Sequence, residues 1–257
     1  MNLRLLRLMI ICLTYWGTLK TMLSGQTWPE EIVARLDRLP SVVQRHLAVL
    51  GDRIRVSGKE LTIYIGDVID STGNRSPAQV IYQLPGLVRL SGFKPGQAVV
   101  SFDGERALGV ISNDDDLLLE IFVMDMPEGM LASIQGSAAV RLLGFGFGPD
   151  PRKMPNYRGA RYDILDVTSA VRSRSDKVTR SRLYYFDSST GLLHSTRYYD
   201  RSRSSPVKLE THFSEWRNID GSAYPGRIDR YERGQRVFSF VAKTITAAPR
   251  LESEKFR

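Results

Sequence analysis

Cysteine is nearly absent. The 257-residue chain holds one, Cys12, in its apolar N-terminal stretch. From residue 26 onward there is none. This excludes a disulfide framework, cysteine-ligated metals and a cysteine nucleophile there. Histidine is almost as scarce. His46, His194 and His212 are scattered, with no HExxH and no carboxylate–histidine spacing that suggests a metal site. No GxSxG elbow occurs, and a Ser/His/Asp set drawn from this many serines carries no information. GFGFG at 144–148 lacks the Lys and Ser/Thr that a phosphate loop requires. Long apolar runs are missing too. Leu8–Leu19 spans 12 residues, short of the roughly 20 that cross a bilayer.

That short run follows Arg4 and Arg7 and ends in Lys20, Thr21, Ser24 and Gly25. A basic start, a short apolar middle and a small-residue exit form the pattern of a secretory signal peptide over 1–25. The alternative is an uncleaved N-terminal anchor. The expected location is therefore periplasmic, either free or held by that segment. The net charge is +8, of which Arg4, Arg7 and Lys20 supply three, leaving +5 over residues 26–257. The basic stretch VRSRSDKVTRSR at 171–182 reads as a solvated strand pair and loop, or as a surface for anionic headgroups. No nucleic-acid partner is expected of an exported chain.

With 42% hydrophobic and 25% charged residues, the composition is globular and suffices for one core of ordinary size. Residues 29–50 carry helical spacing in two pieces. Ile32, Val33, Leu36 and Leu39 form one stripe. Ser41 opens a second helix with Val42, Val43, Leu47 and Leu50, which Gly51 ends. His46 is expected to be exposed or bonded locally. Beyond Gly51 the period changes to two, and turn signals recur at Thr72-Gly73-Asn74, Pro85-Gly86, Pro95-Gly96 and Asp103-Gly104. Short strands with turns at such intervals predict a curved antiparallel sheet. Residues 117–143 interrupt it. Glu128–Leu143 fits a helix, with Met130, Ile134, Ala138 and Leu142 at steps of four. GFGFGPDP then reads as a flexible or tightly turned connection. Strands resume at Tyr157 and form a meander with tips at Ser189-Thr190-Gly191, Ser202–Pro206, Asp220-Gly221 and Arg233-Gly234. No linker or low-complexity spacer appears, so residues 26–257 are expected to form one domain.

LYYFDSSTGLLHSTRYYD at 183–200 is unusual within that meander. Tyr184, Tyr185, Phe186, Leu192, Leu193, Tyr198 and Tyr199 put bulk on both faces of a strand pair. Acidic groups offer little chemistry. Asp114-Asp115-Asp116 reads as a helix-dipole or loop cluster rather than a calcium site. Asp163 with Asp166, and Glu210, His212 and Glu215, are conceivable acid–base sets. Strands carry such solvent-facing residues routinely, so no enzyme activity is expected.

The order of these segments resembles the periplasmic outer-membrane lipoprotein carriers and lipoprotein-sorting proteins, the LolA-like fold. YQLPGLVRLSGF, VVSFDGERALG, YYFDSSTGLLHSTRYYD and HFSEWRNIDGSAYPGRIDRY look like successive family segments, from about Pro29 to Phe256. The resemblance implies a mainly β (α+β) chain: an incomplete, strongly curved antiparallel β-barrel closed by helices. It implies a monomer without cofactors that holds acyl chains of lipids or lipoproteins in an apolar cavity. The lining would be Leu118, Phe122, Met126, Met130, Leu131 and Ile134 from the covering segment, since methionines adapt to varied apolar guests. Val80, Tyr82, Val88 and Phe102 would line it from the sheet. The carriers place an Arg before the strand Pro as a latch; here that position is Leu84, and the role does not pass to Arg89. The alternative is a module of the same fold that binds a protein of the envelope membranes or senses envelope stress.

Overall fold

The computed structural model describes residues 41–51, 60–83, 87–92, 100–103, 107–108, 121–135, 139–147, 161–172, 177–200 and 205–249. The expected signal peptide of 1–25, the expected first helical piece before Ser41, Asp114–Asp116, Leu118 and the expected turns at Pro85-Gly86, Pro95-Gly96 and Gly104 lie outside them.

Twelve strands form one antiparallel sheet in the order β5-β4-β3-β2-β1-β14-β13-β10-β9-β8-β7-β6. Their ranges are β1 Glu60–Asp70, β2 Arg75–Gln83, β3 Leu87–Ser91, β4 Val100–Asp103, β5 Ala107–Leu108, β6 Ala139–Phe147, β7 Arg161–Arg172, β8 Lys177–Asp187, β9 Leu193–Asp200, β10 Val207–Ser214, β13 Arg227–Glu232 and β14 Gln235–Pro249. A small separate pair is made by β11 Arg217–Ile219 and β12 Ser222–Tyr224. Among the described residues the two ends of the order, β5 and β6, do not pair, so the curved sheet is not closed. Register shifts at Ile65/Gly66, Leu142/Gly144, Tyr185/Phe186 and Arg230/Tyr231 supply local bends, as bulges do.

The turns follow the chemistry of their side chains. Asp70 Oδ1 accepts from the Thr72 amide at 2.8 Å, the Thr72 hydroxyl at 2.6 Å and the Asn74 amide at 3.0 Å. Those bonds, the Thr72 hydroxyl foremost, pull the Asp70 carboxyl down to about 2. Asp187 repeats the device with the Ser189 and Thr190 amides at 2.8 and 2.9 Å. Asp220-Gly221 and Arg233-Gly234 turn with positive φ at all four residues.

Helix α1 spans Ser41–Leu50, as its apolar spacing predicts, and Gly51 terminates it at φ 91° with its amide on Ala48 O. Val43, Leu47 and Leu50 are buried. Residues Ile121–Asp125 form a π-helical turn, in which the Met126 amide reaches Ile121 O at 3.3 Å. Helix α2, Pro127–Gln135, follows directly. A β-carbon on Gly129 would overlap the carbonyl oxygen of Val123, so the two helical pieces touch backbone to backbone. Gly129→Ala is expected to destabilise the protein by about 1–3 kcal/mol through overpacking, measured as a lower urea midpoint with an unchanged slope.

The helix expected over Glu128–Leu143 is thus too long. It ends at Gln135, just before Gly136, and from Ala139 the chain is strand β6. Val140 and Leu142 pair with Val167 and Leu165 of β7, so the apolar steps read as helical also satisfy a strand. The expected glycine-rich connection is corrected too: Gly144–Phe147 belong to β6, with Gly144 at φ 106° beside the bulge. Leu142, Leu143 and Phe145 are exposed on this edge, Phe145 with the Arg161 guanidinium 3.6 Å above its ring.

Candidate functional site

The ladder sorts side chains into two faces. One row runs Leu165, Tyr184, Thr196, Thr211, Arg230, Phe238 across six strands. The opposite face carries Ile164, Tyr185, Ser195, His212, Asp229 and Ser239. Because side chains alternate along a strand, Tyr184 and Phe186 face inward and Tyr185 outward. Tyr185 stacks under Arg197 at 4.8 Å, and Arg197 pairs with Glu210 at 2.7 Å. Bulk on both faces of 183–200 therefore serves two different packings.

The inner face is covered by the π-helical turn, α2 and α1. Ile121, Phe122, Met126, Met130, Leu131 and Ile134 are all buried in one cluster with Val80, Tyr82 and Val88 of the sheet. Phe122 meets Phe240 edge to face at 6.3 Å, a favoured aromatic geometry. Eight of the ten expected lining residues are thereby brought together. Of the other two, Leu118 lies outside the described residues, and Phe102 pairs with Val88 in the β3–β4 ladder. The cover's own side chains pack against the inner face.

A polar knot ties cover to sheet. Asp125, fully buried, accepts from Arg182 Nε at 3.0 Å through one oxygen. Its other oxygen accepts from Thr211 Oγ1 at 2.6 Å and Arg230 Nη1 at 3.1 Å. Arg230 also donates to the Tyr198 hydroxyl at 2.9 Å. The Tyr198 ring lies 4.4 Å from the Arg182 guanidinium and 5.2 Å from that of Arg230, within cation–π range. One turn beyond Asp125, Glu128 is buried as well. The Tyr184 hydroxyl donates to Met124 O at 2.7 Å. Burial drives the Tyr184 phenol far above its usual range, with nearby Arg182 opposing.

The sequence reading missed this knot. Arg182 closes the basic stretch expected to be solvated, yet only 1% of it is exposed. Its inward parity beside Tyr184 was the available signal. Asp125, an acid between Met124 and Met126, was another.

Other expectations are corrected. His46 is neither exposed nor locally bonded. It is buried, stacks on Phe186 at 4.4 Å, and its ring nitrogens reach Gly191 O at 3.2 Å and Asp163 at 3.0 Å. Burial lowers its pKa despite the Asp163 carboxylate. Asp163 and Asp166 are buried rather than solvent-facing, and their odd spacing of three places along β7 sends them to opposite faces. Asp163 takes His46 and Arg45; Asp166 takes Arg141 and the Ser181 hydroxyl. The sheet lies between them, so they cannot share a proton. Glu210 is buried and paired with Arg197 and Lys208. His212 is half-buried, between His194 and Tyr231. Glu215 sits in a turn at φ 54°.

The sequence matches no protein-family model and no curated protein. Solved structures are similar in fold. A LolA superfamily protein from Nitrosomonas europaea superposes with a TM-score of 0.51 at 13% identity, covering 84% of this chain and 96% of that one. An outer membrane lipoprotein-sorting protein domain from Vibrio parahaemolyticus gives 0.49 at 9% identity, covering 77% and 89%. A DUF1329 family protein from Desulfovibrio piger gives 0.49 at 13% identity, covering 88% and 97%. An open, curved antiparallel sheet with helices packed on its inner face, superposable on the Nitrosomonas protein over most of its length, is a LolA-like fold.

Proposed function

We propose that the chain is an exported, non-enzymatic binding protein that holds acyl chains of lipids or lipoproteins against the inner face of its sheet and carries them across the periplasm. The observation that carries this reading is the division of the core. One wall is sheet; the other is a short methionine-containing segment, 121–135, whose Phe122, Met126, Met130, Leu131 and Ile134 are buried against it. An acyl chain replaces such contacts without needing catalysis, since each buried methylene contributes about 0.8 kcal/mol. Titratable groups elsewhere on the sheet are engaged in ion pairs, which fits binding rather than turnover. The likeness in fold to a LolA superfamily protein supports the same reading.

Native mass spectrometry tests it, on the full chain expressed in a bacterium and recovered without detergent. Extra mass that extracts into chloroform and fragments as acyl chains is the expected result. A clean apo mass with no uptake of added fatty acid or lipopeptide would show that segment 121–135 is permanent core. The exposed Leu142, Leu143 and Phe145 on edge strand β6 favour a second reading, an envelope interaction module. Recovery of one stoichiometric protein and no lipid would select it.

A further inference from the structure

We propose that Arg182, Arg230, Thr211 and Tyr198 form a receptor for the acidic head of a single-chain amphiphile, and that Asp125 occupies it in the closed protein as an internal stand-in. The inference rests on the acyl-binding reading and names the class of guest and the group that competes with it.

The groups that meet Asp125 come from the sheet: Arg182 of β8, Thr211 of β10 and Arg230 of β13 donate to it, and Tyr198 of β9 accepts from Arg230. Asp125 itself comes from the cover. The two Asp125 oxygens are divided between the two guanidiniums. A fatty-acid carboxylate offers the same pair of oxygens, and a phosphate monoester offers a third. The planar arginine fork suits both. Arg230 is fully buried, yet its Nε has no hydrogen-bond acceptor among the described residues. A headgroup with one oxygen more than Asp125 has a donor waiting for it.

Charge makes the site selective. Closed, the cover brings two buried carboxylates, Asp125 and Glu128, to a sheet that brings two buried guanidiniums. When the cover lifts, both carboxylates leave and both cations stay. Uncompensated charges on a largely apolar floor are strongly disfavoured. An acidic guest restores the balance and a neutral one does not. Opening is thereby coupled to the sign of the head. The alkyl tail would run from the knot along the surface that Met126, Met130 and Ile134 now cover.

Three probes of equal chain length separate the possibilities: dodecanoate, dodecyl phosphate and 1-dodecanol, each titrated calorimetrically into the full chain. The unmutated protein is expected to bind the acids at least tenfold more tightly than the alcohol, and the tighter acid identifies the head. Asp125→Asn, which removes the competing charge, should tighten acid binding about tenfold further. Arg230→Gln should collapse the acid-over-alcohol ratio toward one, and Tyr198→Phe should lower it several-fold. Equal binding of acid and alcohol by the unmutated protein would overturn the headgroup site and leave acyl binding intact. Binding of no probe, by the unmutated protein or by Asp125→Asn, would overturn both. The decisive comparison uses the unmutated chain, so it survives any variant that fails to fold.

Discussion

Asp125→Ala is expected to lower the stability of the protein by about 3–5 kcal/mol, the usual effect of removing one partner from a buried ion pair. In a chain of this size that corresponds to a fall in Tm on the order of 10 °C. Asp125 is placed against both Arg182 and Arg230. Thr211 and Tyr198 bond to these groups as neutral hydroxyls, so they solvate charge without cancelling it. The cover is also tied to the sheet through the Tyr184–Met124 bond, and one hydrogen bond does not replace the lost pair. A combined variant provides the control. Replacing Asp125 by Leu, Glu128 by Gln, and Arg182 and Arg230 by Met removes charge from both walls at once. It is expected to be neutral or stabilising by about 1–4 kcal/mol, because apolar packing commonly outperforms a desolvated ion pair. Chemical denaturation of the two variants checks both signs. An Asp125→Ala protein as stable as the parent would mean that water reaches the knot.

That knot is also where sequence reasoning stops short. The alternation of Leu61, Ile63 and Ile65, the Asp-led turns and the Gly51 stop are local properties, and local chemistry decides them. The hairpin turns and the extent of α1 follow from such signals. Arg182 and Arg230 are different. A charged residue on a strand has a parity but no indication of which face will be buried, and solvation is the common outcome. Only when β8, β10 and β13 align do Arg182, Thr211 and Arg230 converge on one acid from a segment 57 residues before Arg182. The same limit explains β6. The apolar steps of 130–142 satisfy a helix and a strand alike, and it is pairing with β7 that selects the strand. The burial of Phe122, Met126, Met130, Leu131 and Ile134 was legible because apolar side chains on a covering segment have nowhere else to go.

The second large effect is a loss of stability between pH 6.5 and pH 4. His194 lies between Tyr162 at 4.9 Å and His212 at 5.4 Å, and His212 lies 4.7 Å from Tyr231. Burial holds His194 down at about 4, and the neighbouring His212 adds to the effect. The carboxylates of Asp187 and Glu210 oppose it without prevailing. Burial also lowers His212 and His46. In the unfolded chain each titrates near 6.5. The unfolded state therefore binds protons first as pH falls, and stability declines wherever it holds more of them. The histidine contribution is complete above about pH 6.5 and is lost as pH falls to the folded value near 4. For His194 alone the shift corresponds to roughly 3 kcal/mol. The carboxylates act in a lower window. Asp166, Asp187 and Glu210 are each held below their ordinary values, so their contributions fade below the carboxylate range, after the histidine loss has begun. Tm measured at pH 7.5, 5.5 and 4.5 is expected to fall across that series. His194→Phe keeps a ring between Tyr162 and His212 and removes one titrating group, so its curve should be flatter over the same interval. A curve of unchanged slope would assign the pH dependence to His212 and His46 instead.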